Sequence, residues 1–237
     1  MVSIFHSNLY IEWRASRINK LEEILGGKSW FKNKQVLELG CAYGHTGKIL
    51  MDYGADVLFA EPRLEYHEHI RGTCKCPECI PKNVSIIQLD QNSTWLLSQV
   101  FDLIIHWGVL YHLENWEQDL ITTLNHGKNI CLESEVIDSP DPFYVMHRKE
   151  SGPDQSCHGK GSFPSYSAIE RVVQDHPNFL SYQRYDDKSL NAGHQHYNWK
   201  AINNTDFVEG QRRFWMIQSN TGLWSSLLNK YNYKERV

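Results

Sequence analysis

The sequence predicts an α/β fold in which a doubly wound, mostly parallel sheet of seven strands is flanked by helices. Apolar runs that fit strands alternate with segments that fit helices, an order typical of parallel β-α-β units. The first strand breaks into a loop that contains Gly40, Gly44 and Gly47. Acidic residues end later strands, and sheets of this kind bind ligands beyond the carboxyl ends of their strands. We therefore expect a ligand site at that edge.

The elements of the N-terminal half follow from apolar spacing and from glycine and proline breaks. Apolar residues from Leu9 to Leu25 recur at helical spacing, and Gly26 and Gly27 end this N-terminal helix, which lies within residues 1–27. Pro62 ends the second strand. The remaining predicted elements are a strand at 35–39, a helix at 45–53, a strand at 55–62, a helix at 63–72, a strand at 84–90 and a short helical segment at 91–99.

The C-terminal half predicts four further strands and an irregular insertion. Ser167 and Glu170 match a helix capping box, which predicts a helix that runs to about Asp175. Residues 138–164 have no clear period, and we interpret them as a lid or substrate insertion. Other predicted elements are strands at 101–107, 129–137, 179–186 and 212–219, a helix at 111–124 and a last helix with Trp224, Leu227 and Leu228.

Length and composition indicate one globular domain over residues 1–237. Hydrophobic residues make up 41% and charged residues 22%, and the formal net charge of −4 excludes a strongly basic nucleic-acid footprint. No apolar stretch approaches the roughly 20 residues that span a bilayer, so we expect no membrane partner. The N-terminus lacks a secretory pattern, and six cysteines do not indicate a disulfide scaffold. We expect a cytoplasmic location.

The segment VLELGCAYGHTG at 36–47 has the pattern E-x-G-x-x-x-G, which resembles motif I of class I S-adenosylmethionine (SAM)-dependent methyltransferases. The resemblance implies a Rossmann-like methyltransferase fold, with Glu61 on the ribose hydroxyls and Asp90 facing the adenine amino group. Taken singly, Glu61 also fits an exposed strand-end acid and Asp90 a helix N-cap. The cofactor-binding residues that it implies are Glu38, Gly40, Cys41, Ala42, Tyr43, Gly44, Glu61, Asp90, Gln91 and His106.

Two further segments resemble a narrower branch. HWGVLYHLENW at 106–116 and RRFWMI at 212–217 are similar to segments of the tRNA wobble-uridine (carboxymethyl)transferase-like methyltransferases. That resemblance implies tRNA as a partner. Members that use carboxy-SAM carry a long extra N-terminal region, whereas only about 30 residues precede motif I here. Ordinary methyl transfer is therefore the favoured reaction.

The candidate catalytic residues are His106, Tyr111 and Glu133. A histidine at the end of the fourth strand suits a general base, since its side chain changes charge near neutral pH; the alternative is packing behind the ligand. Tyr111 fits the wall of an acceptor pocket or the core. Alternation places Glu133 and Glu135 on one side of their strand, where they could hold a hydroxyl, an amine or a metal, or serve only as a solvated acid and a cap.

The candidate substrate-binding residues combine this strand tip with a basic cluster. Basic side chains can hold a phosphate or carboxylate, although each also fits a solvated loop. The full set is Tyr111, Glu135, His147, Arg148 and Arg213.

A cysteine cluster offers a metal site. Cys74, Cys76 and Cys79, with His69 nearby, supply enough soft ligands for a tetrahedral structural zinc. Free thiols in a surface loop are the alternative, because a second C-x-x-C pair is absent.

These observations predict an enzyme that moves a methyl group from SAM to an oxygen or nitrogen of a small-molecule or nucleoside acceptor. A tRNA wobble-uridine (carboxy)methyltransferase and a non-catalytic SAM-binding partner subunit are the alternatives. An NAD-dependent oxidoreductase fits less well, because the loop lacks the G-x-G-x-x-G spacing of dinucleotide sites. The sequence leaves the oligomeric state open.

Overall fold

A computed structural model of the chain describes residues 7–71, 84–152 and 155–221. Helices and strands alternate through the first five strands as the sequence predicts, except that no helix lies among the described residues between the third and fourth strands. The α-helices are α1 (Asn8–Leu25), α2 (His45–Asp52), α3 (Leu64–Ile70), α4 (Trp116–His126) and α5 (Tyr166–Asp175). The strands are β1 (Gln35–Leu39), β2 (Asp56–Ala60), β3 (Ser85–Ile87), β4 (Leu103–Trp107), β5 (Asn129–Glu135), β6 (Val145–Lys149), β7 (Lys160–Pro164), β8 (Phe179–Arg184) and β9 (Arg212–Ser219).

Seven strands form one sheet in the order β3-β2-β1-β4-β5-β9-β8. The first five run parallel, and β9 is antiparallel to both β5 and β8. This confirms the predicted doubly wound, mostly parallel sheet. The chain moves outward from β1 to β3 and returns to place β4 on the other side of β1. The crevice at this reversal is where such sheets bind ligands.

Alternation along the strands divides the core between the two faces of the sheet. Leu37 and Ile104 pack with the apolar sides of α4 and α5, whereas Val36 and Ile105 pack with residues of α1, α2 and α3. Successive strand side chains point to opposite faces, so one step in sequence exchanges one layer for the other. This parity decides which predicted site residues reach the crevice.

Local structure differs from the prediction at three places. Residues 91–99 form turns, bends and irregular chain in place of a short helix. The segment predicted as a helix at 111–124 contains a 3-10 turn, Leu110–His112, and α4 begins only at Trp116, because Leu113 between them is extended. The N-cap of α5 is Ser165, whose hydroxyl accepts from the Ala168 backbone N–H, so the capping box at Ser167 is wrong by two residues.

The insertion 138–164 contains a two-stranded antiparallel sheet that the sequence did not predict. Strands β6 and β7 pair from Val145 opposite Pro164 to Lys149 opposite Lys160; we call residues 145–164 the hairpin. The predicted last helix, with Trp224, Leu227 and Leu228, lies outside the described residues. Among the described helices, none is both long and apolar enough to cross a membrane.

Candidate active site

The loop between β1 and α2 brings its backbone to the edge of the crevice. Gly40 has φ +58° and Gly44 has φ +68°, the left-handed region that glycine adopts readily. A Cβ at Gly40 would lie 2.4 Å from Cγ2 of Val109. Gly40 is therefore required both by its backbone conformation and by the close approach of the segment after β4.

Two buried carboxylates hold this loop. Oε2 of Glu38 accepts from the Gly47 backbone N–H at 2.8 Å, and Oε2 of Glu61 accepts from the Ala42 N–H at 2.9 Å. The other oxygen of Glu61 accepts from the Arg63 N–H at 3.2 Å. Burial raises the pKa of Glu38 to about 8 and also raises that of Glu61, while their hydrogen bonds lower both. The loop conformation thus depends on acids that the strand ends supply.

Two cavities flank the loop and share Tyr10, Gly40, Ala42 and Trp107 in their walls. The loop cavity contains side chains of both signs. It is lined by Arg14, Arg17, Glu38, Cys41, Tyr43 and His45, among others. The strand-end cavity lies beyond β2 and the segment after β3, and is lined by Glu61, Asp90, Gln91, Asn92, Gln155 and Cys157, among others.

A third cavity, of about 650 Å³, lies between the hairpin, α1 and the segment before β9; we call it the hairpin cavity. It shares Tyr10, Gly108, His112 and Gln155 with the strand-end cavity. Its wall is both aromatic and charged: Trp13, Tyr111, Phe163, Phe207, Glu135, Arg148, Lys149, Glu150 and Arg212. The two cavities therefore meet at Gly108, directly after β4.

The cofactor candidates lie at these walls with two exceptions. Gly44 is the N-cap of α2 and lines none of the three cavities. Asp90 lines the strand-end cavity, and its Oδ2 lies 2.8 Å from Nε2 of His158. The segment that connects β6 and β7 therefore lies over this cavity.

His106, the second exception, points away from all three cavities. It is fully buried, and its Nε2 lies 2.6 Å from Oδ2 of Asp119 on α4. The sequence interpretation that it faces the transferred methyl group therefore disagrees with the structure. The reason is parity: His106 shares the α4 face of β4 with Ile104, and the adjacent Trp107 reaches the crevice.

Glu133 occupies the centre of a buried network and does not line any of the three cavities. Its Oε1 accepts from Arg212 at 2.9 Å and from the Tyr197 hydroxyl at 3.1 Å, and its Oε2 lies 3.3 Å from Arg17. The hydroxyl of Tyr197 also accepts from the indole N–H of Trp13 at 2.6 Å. Glu133 is thus committed to fixing two arginines, which disagrees with the predicted catalytic role.

Tyr111 and Glu135, both predicted to contact the acceptor, line the hairpin cavity. The Tyr111 hydroxyl accepts from Arg212 at 2.8 Å, and burial raises the pKa of this phenol above its ordinary value. Glu135 accepts from the Gly210 backbone N–H and lies 3.7 Å from Arg212. Both side chains are therefore wall residues that Arg212 holds in place.

Of the three basic residues predicted to bind substrate, only one lines the hairpin cavity. Arg148 lines the hairpin cavity, with its guanidinium carbon 4.1 Å from the Phe207 ring centroid. His147 points away from the cavity, because the next residue along β6 points into it. Arg213 is buried on the opposite face of β9, stacked 3.3 Å from the Trp199 ring centroid. The adjacent Arg212, paired in register with Glu135, lines the hairpin cavity.

The sequence does not predict the wall residues of α1 or the partner of His112. Tyr10, Arg14 and Arg17 lie on α1, and their i, i+4 and i+7 spacing is the only sequence signal that they share a face. His112 and Glu150 form a pair across the mouth of the hairpin, with Nδ1 and Oε2 2.6 Å apart. That pairing brings together residues 38 positions apart, which no local pattern indicates.

Most of the residues predicted to bind zinc lie outside the described ranges. Cys74, Cys76 and Cys79 lie in residues 72–83, outside the described ranges. His69 is buried on α3, with its ring edge-on to Tyr43 at 4.7 Å between centroids. In the described part of the chain, no group of three or more histidine, cysteine or acidic residues is placed to hold a metal ion. The zinc site stays a prediction.

Comparison with known proteins agrees with this architecture. A family model described as a methyltransferase domain matches residues 10–177. That range includes the glycine loop, both strand-end acids and the hairpin. No match was found among curated proteins.

Solved structures of similar fold include three that were determined with SAM or S-adenosylhomocysteine (SAH). The N-terminal domain of EvdMO1, with SAH bound, is 15% identical, with a TM-score of 0.57 over 87% of this chain and 80% of that one. Magnesium protoporphyrin IX methyltransferase from Synechocystis PCC 6803, with bound SAM, is 12% identical, with a TM-score of 0.54 over 92% and 86%. The N-methyltransferase NodS from Bradyrhizobium japonicum WM9, in complex with SAH, is 12% identical, with a TM-score of 0.53 over 91% and 89%.

Proposed function

Because this chain belongs to the methyltransferase domain family and has the class I SAM-dependent methyltransferase fold, we propose that it methylates an oxygen or nitrogen of a small acceptor bound in the hairpin cavity. One observation carries the proposal. The strand-end cavity, which Glu61 lines, meets the hairpin cavity of about 650 Å³ at Gly108. A methyl donor and an acceptor in these two cavities would meet where their walls join.

The strand-end cavity fits the adenosine part of SAM. Glu61 directly follows β2, is 2% exposed and keeps acceptor capacity beyond its two backbone hydrogen bonds. A carboxylate in this position can accept both ribose hydroxyls. Asp90 and Gln91 would contact the adenine, as the class I resemblance implies.

The loop cavity fits the methionine part. Its wall combines the acid Glu38 with Arg14 and Arg17, and the methionine part of SAM carries one ammonium and one carboxylate. Charge-assisted hydrogen bonds from a guanidinium to a carboxylate are among the stronger polar contacts in proteins. We assign the carboxylate of the methionine part to Arg14 and Arg17, and its ammonium to the end of the loop cavity that Glu38 lines.

The hairpin cavity supports a small acceptor. Its volume falls within the range of ordinary small-molecule sites, and its aromatic walls suit a ring or an apolar skeleton. The guanidinium of Arg148 and the ammonium of Lys149 make no ion pair or hydrogen bond with any described residue, which favours an acceptor with an acidic group. The net charge of −4 argues against tRNA as the principal substrate.

When bound, SAM supplies an electrophilic methyl group on a positively charged sulfur. The chain would contribute alignment and exclusion of water, which are the main requirements of a direct displacement. The network around Glu133 suits this task, since it fixes Arg17 at the loop cavity and Arg212 at the hairpin cavity through one buried carboxylate.

Transfer of a radioactive methyl group from SAM tests the proposal. The acceptor panel contains phenols, sugars, hydroxy acids, amines and nucleosides, and unmodified tRNA is assayed in parallel. Label in a small compound, lost on addition of SAH, is the expected result. Label in tRNA alone would replace the small acceptor by the tRNA alternative. Binding of SAH without transfer to any acceptor would favour a non-catalytic SAM-binding subunit.

A further inference from the structure

We propose that His112, oriented by Glu150, is the general base that removes the proton from an acceptor hydroxyl during methyl transfer. The inference rests on the proposed function and narrows it to hydroxyl acceptors. A hydroxyl keeps its proton near neutral pH and needs a base as it becomes a nucleophile, whereas an amine attacks through a lone pair.

His112 stands at the junction of the two cavities. It ends the 3-10 turn Leu110–His112, shortly after Gly108, whose φ of +69° turns the chain away from β4. Four described residues line both the strand-end and the hairpin cavity: Tyr10, Gly108, His112 and Gln155. Of these, only Tyr10 and His112 have acid–base side chains, and burial raises the pKa of the Tyr10 phenol. His112 is therefore the group at the junction suited to accept a proton.

Glu150 fixes the imidazole. Its Oε2 lies 2.6 Å from Nδ1 of His112 and also accepts from the Ser156 backbone N–H at 2.9 Å. The side chain of Glu150 is 6% exposed and that of His112 is 15% exposed. A carboxylate at Nδ1 places the proton there and leaves the lone pair on Nε2. Nε2 is bonded by no residue in the described ranges.

The hairpin is shaped to deliver this carboxylate. A Cβ at Gly161 would lie 2.6 Å from Oε1 of Glu150 and 2.6 Å from the carbonyl oxygen of Tyr111. Gly161 therefore lets β7 pass close to the turn that carries His112. The pair is thus built from two distant segments by close backbone packing.

Other candidate bases in the hairpin cavity are engaged or lie away from the strand-end cavity, and the exposed Glu209 does not line that second cavity. Glu135 accepts from the Gly210 N–H and lies beside Arg212. His194 is exposed, lies 2.7 Å from the side-chain amide of Gln195 and does not line the strand-end cavity. His106 does not reach any of the three cavities.

The step balances without a further reactant. The acceptor oxygen forms a bond to the methyl carbon, and the carbon–sulfur bond breaks with its electron pair left on sulfur, which gives SAH. The hydroxyl proton passes to Nε2 of His112. The resulting imidazolium is stabilised by the Glu150 carboxylate at Nδ1 and later loses its proton to water.

Chemical modification tests the placement. Diethyl pyrocarbonate acylates unprotonated imidazole nitrogens, and peptide mass analysis reports each histidine separately. We expect SAH to slow modification of His112 at least tenfold and to leave exposed His196, which lines none of the three cavities, unchanged. SAH that binds by calorimetry without protecting His112 would overturn the inference alone. SAH that does not bind would instead overturn the proposed function.

Substitution tests the role. With a hydroxyl acceptor from the screen, we expect His112→Gln to lower kcat at least 100-fold and Glu150→Gln about tenfold, with the KM for SAM unchanged. A fluorinated, more acidic analogue of the same acceptor should reduce the loss in His112→Gln to less than tenfold. His196→Gln and Glu114→Gln, which removes a surface pair to Lys160 of the hairpin, serve as controls. A kcat of His112→Gln within threefold of wild type, or a screen that yields only amine acceptors, would overturn the inference.

Discussion

The two halves of the candidate site are held together in different ways. Around the loop and strand-end cavities, carboxylates bond to backbone N–H groups of nearby residues: Glu38 to Gly47, 9 positions away, and Glu61 to Ala42, 19 positions away. Around the hairpin cavity, side chains bond across the whole chain. The bond from Trp13 to Tyr197 spans 184 positions.

This difference means that the two halves tolerate substitution to different extents. A site made of backbone groups and two acids has few side chains that can change without loss of the loop. A site walled by side chains from α1, the hairpin and β9 can change shape by substitution while the sheet stays the same. We therefore infer that the first half binds the donor and the second half selects the acceptor.

The largest expected effect comes from the half of the site around the hairpin cavity, where side chains bond to one another. Arg212→Met removes the closer partner of buried Glu133, and losing one partner of a buried ion pair typically costs about 3–5 kcal/mol. Because Arg17 remains as a partner of Glu133, we expect the free energy of unfolding to fall by an amount near the lower end of this range. Urea denaturation measures the loss. Lys128→Met, which removes a surface pair to Asp102, should cost less than about 1 kcal/mol. Equal losses would show that the network adds no stability.

In the half around the loop and strand-end cavities, Glu38 should make the free energy of unfolding depend on pH. Burial raises the pKa of Glu38 from 4.5 to about 8. Between these values the folded protein holds a proton that the unfolded chain has lost, so the free energy of unfolding falls as pH rises, by at most about 1.4 kcal/mol per pH unit. Glu38→Gln should remove this slope. Urea unfolding at pH 5.5, 6.5 and 7.5 measures it, and parallel slopes in both proteins would contradict the assignment.

Loop geometry gives the next effect. Gly40→Ala places a Cβ at φ +58° and against Val109, so we expect the affinity for SAH to fall about tenfold. Gly26→Ala is the matched control, because Gly26 has φ +85° but no atom within 4 Å of the added Cβ. It should lower stability by about 1 kcal/mol and leave SAH affinity unchanged. Adding Val109→Ala to Gly40→Ala should recover part of the affinity. No recovery would place the whole cost in the backbone.

The smallest effect belongs to the contact that joins the halves. His158 of the hairpin segment pairs with Asp90 at the strand-end cavity, and both side chains are more than a third exposed. Exposed pairs contribute about 0–1 kcal/mol. His158→Gln should therefore change the dissociation rate of SAH by less than about fivefold in stopped-flow measurements. A larger change would make this contact a principal restraint on the ligand.

The same contrast explains what the sequence could predict. All seven strands of the main sheet, the loop and the two acids follow from local patterns. His106 and Arg213 were placed wrongly because alternation sends each side chain to the face opposite the crevice. Arg14, Arg17 and the pair of His112 with Glu150 depend on where α1 and the hairpin dock, and that docking is set by contacts between segments far apart in sequence. The β6–β7 pairing lay in a segment without apolar alternation.

Calorimetric titration of SAH, SAM and NAD into wild type, Glu61→Ala and Glu65→Ala tests the central claim most directly. Glu65 is an exposed acid on neighbouring α3 and serves as the control. Removing a charge-assisted hydrogen bond to the ribose costs about 1.5–3 kcal/mol, so Glu61→Ala should bind SAH and SAM at least tenfold more weakly. Glu65→Ala should bind SAH and SAM as tightly as wild type does, and NAD should not bind. Equal SAH affinity in all three proteins, or tighter binding of NAD, would contradict a SAM site beyond the ends of β1 and β2.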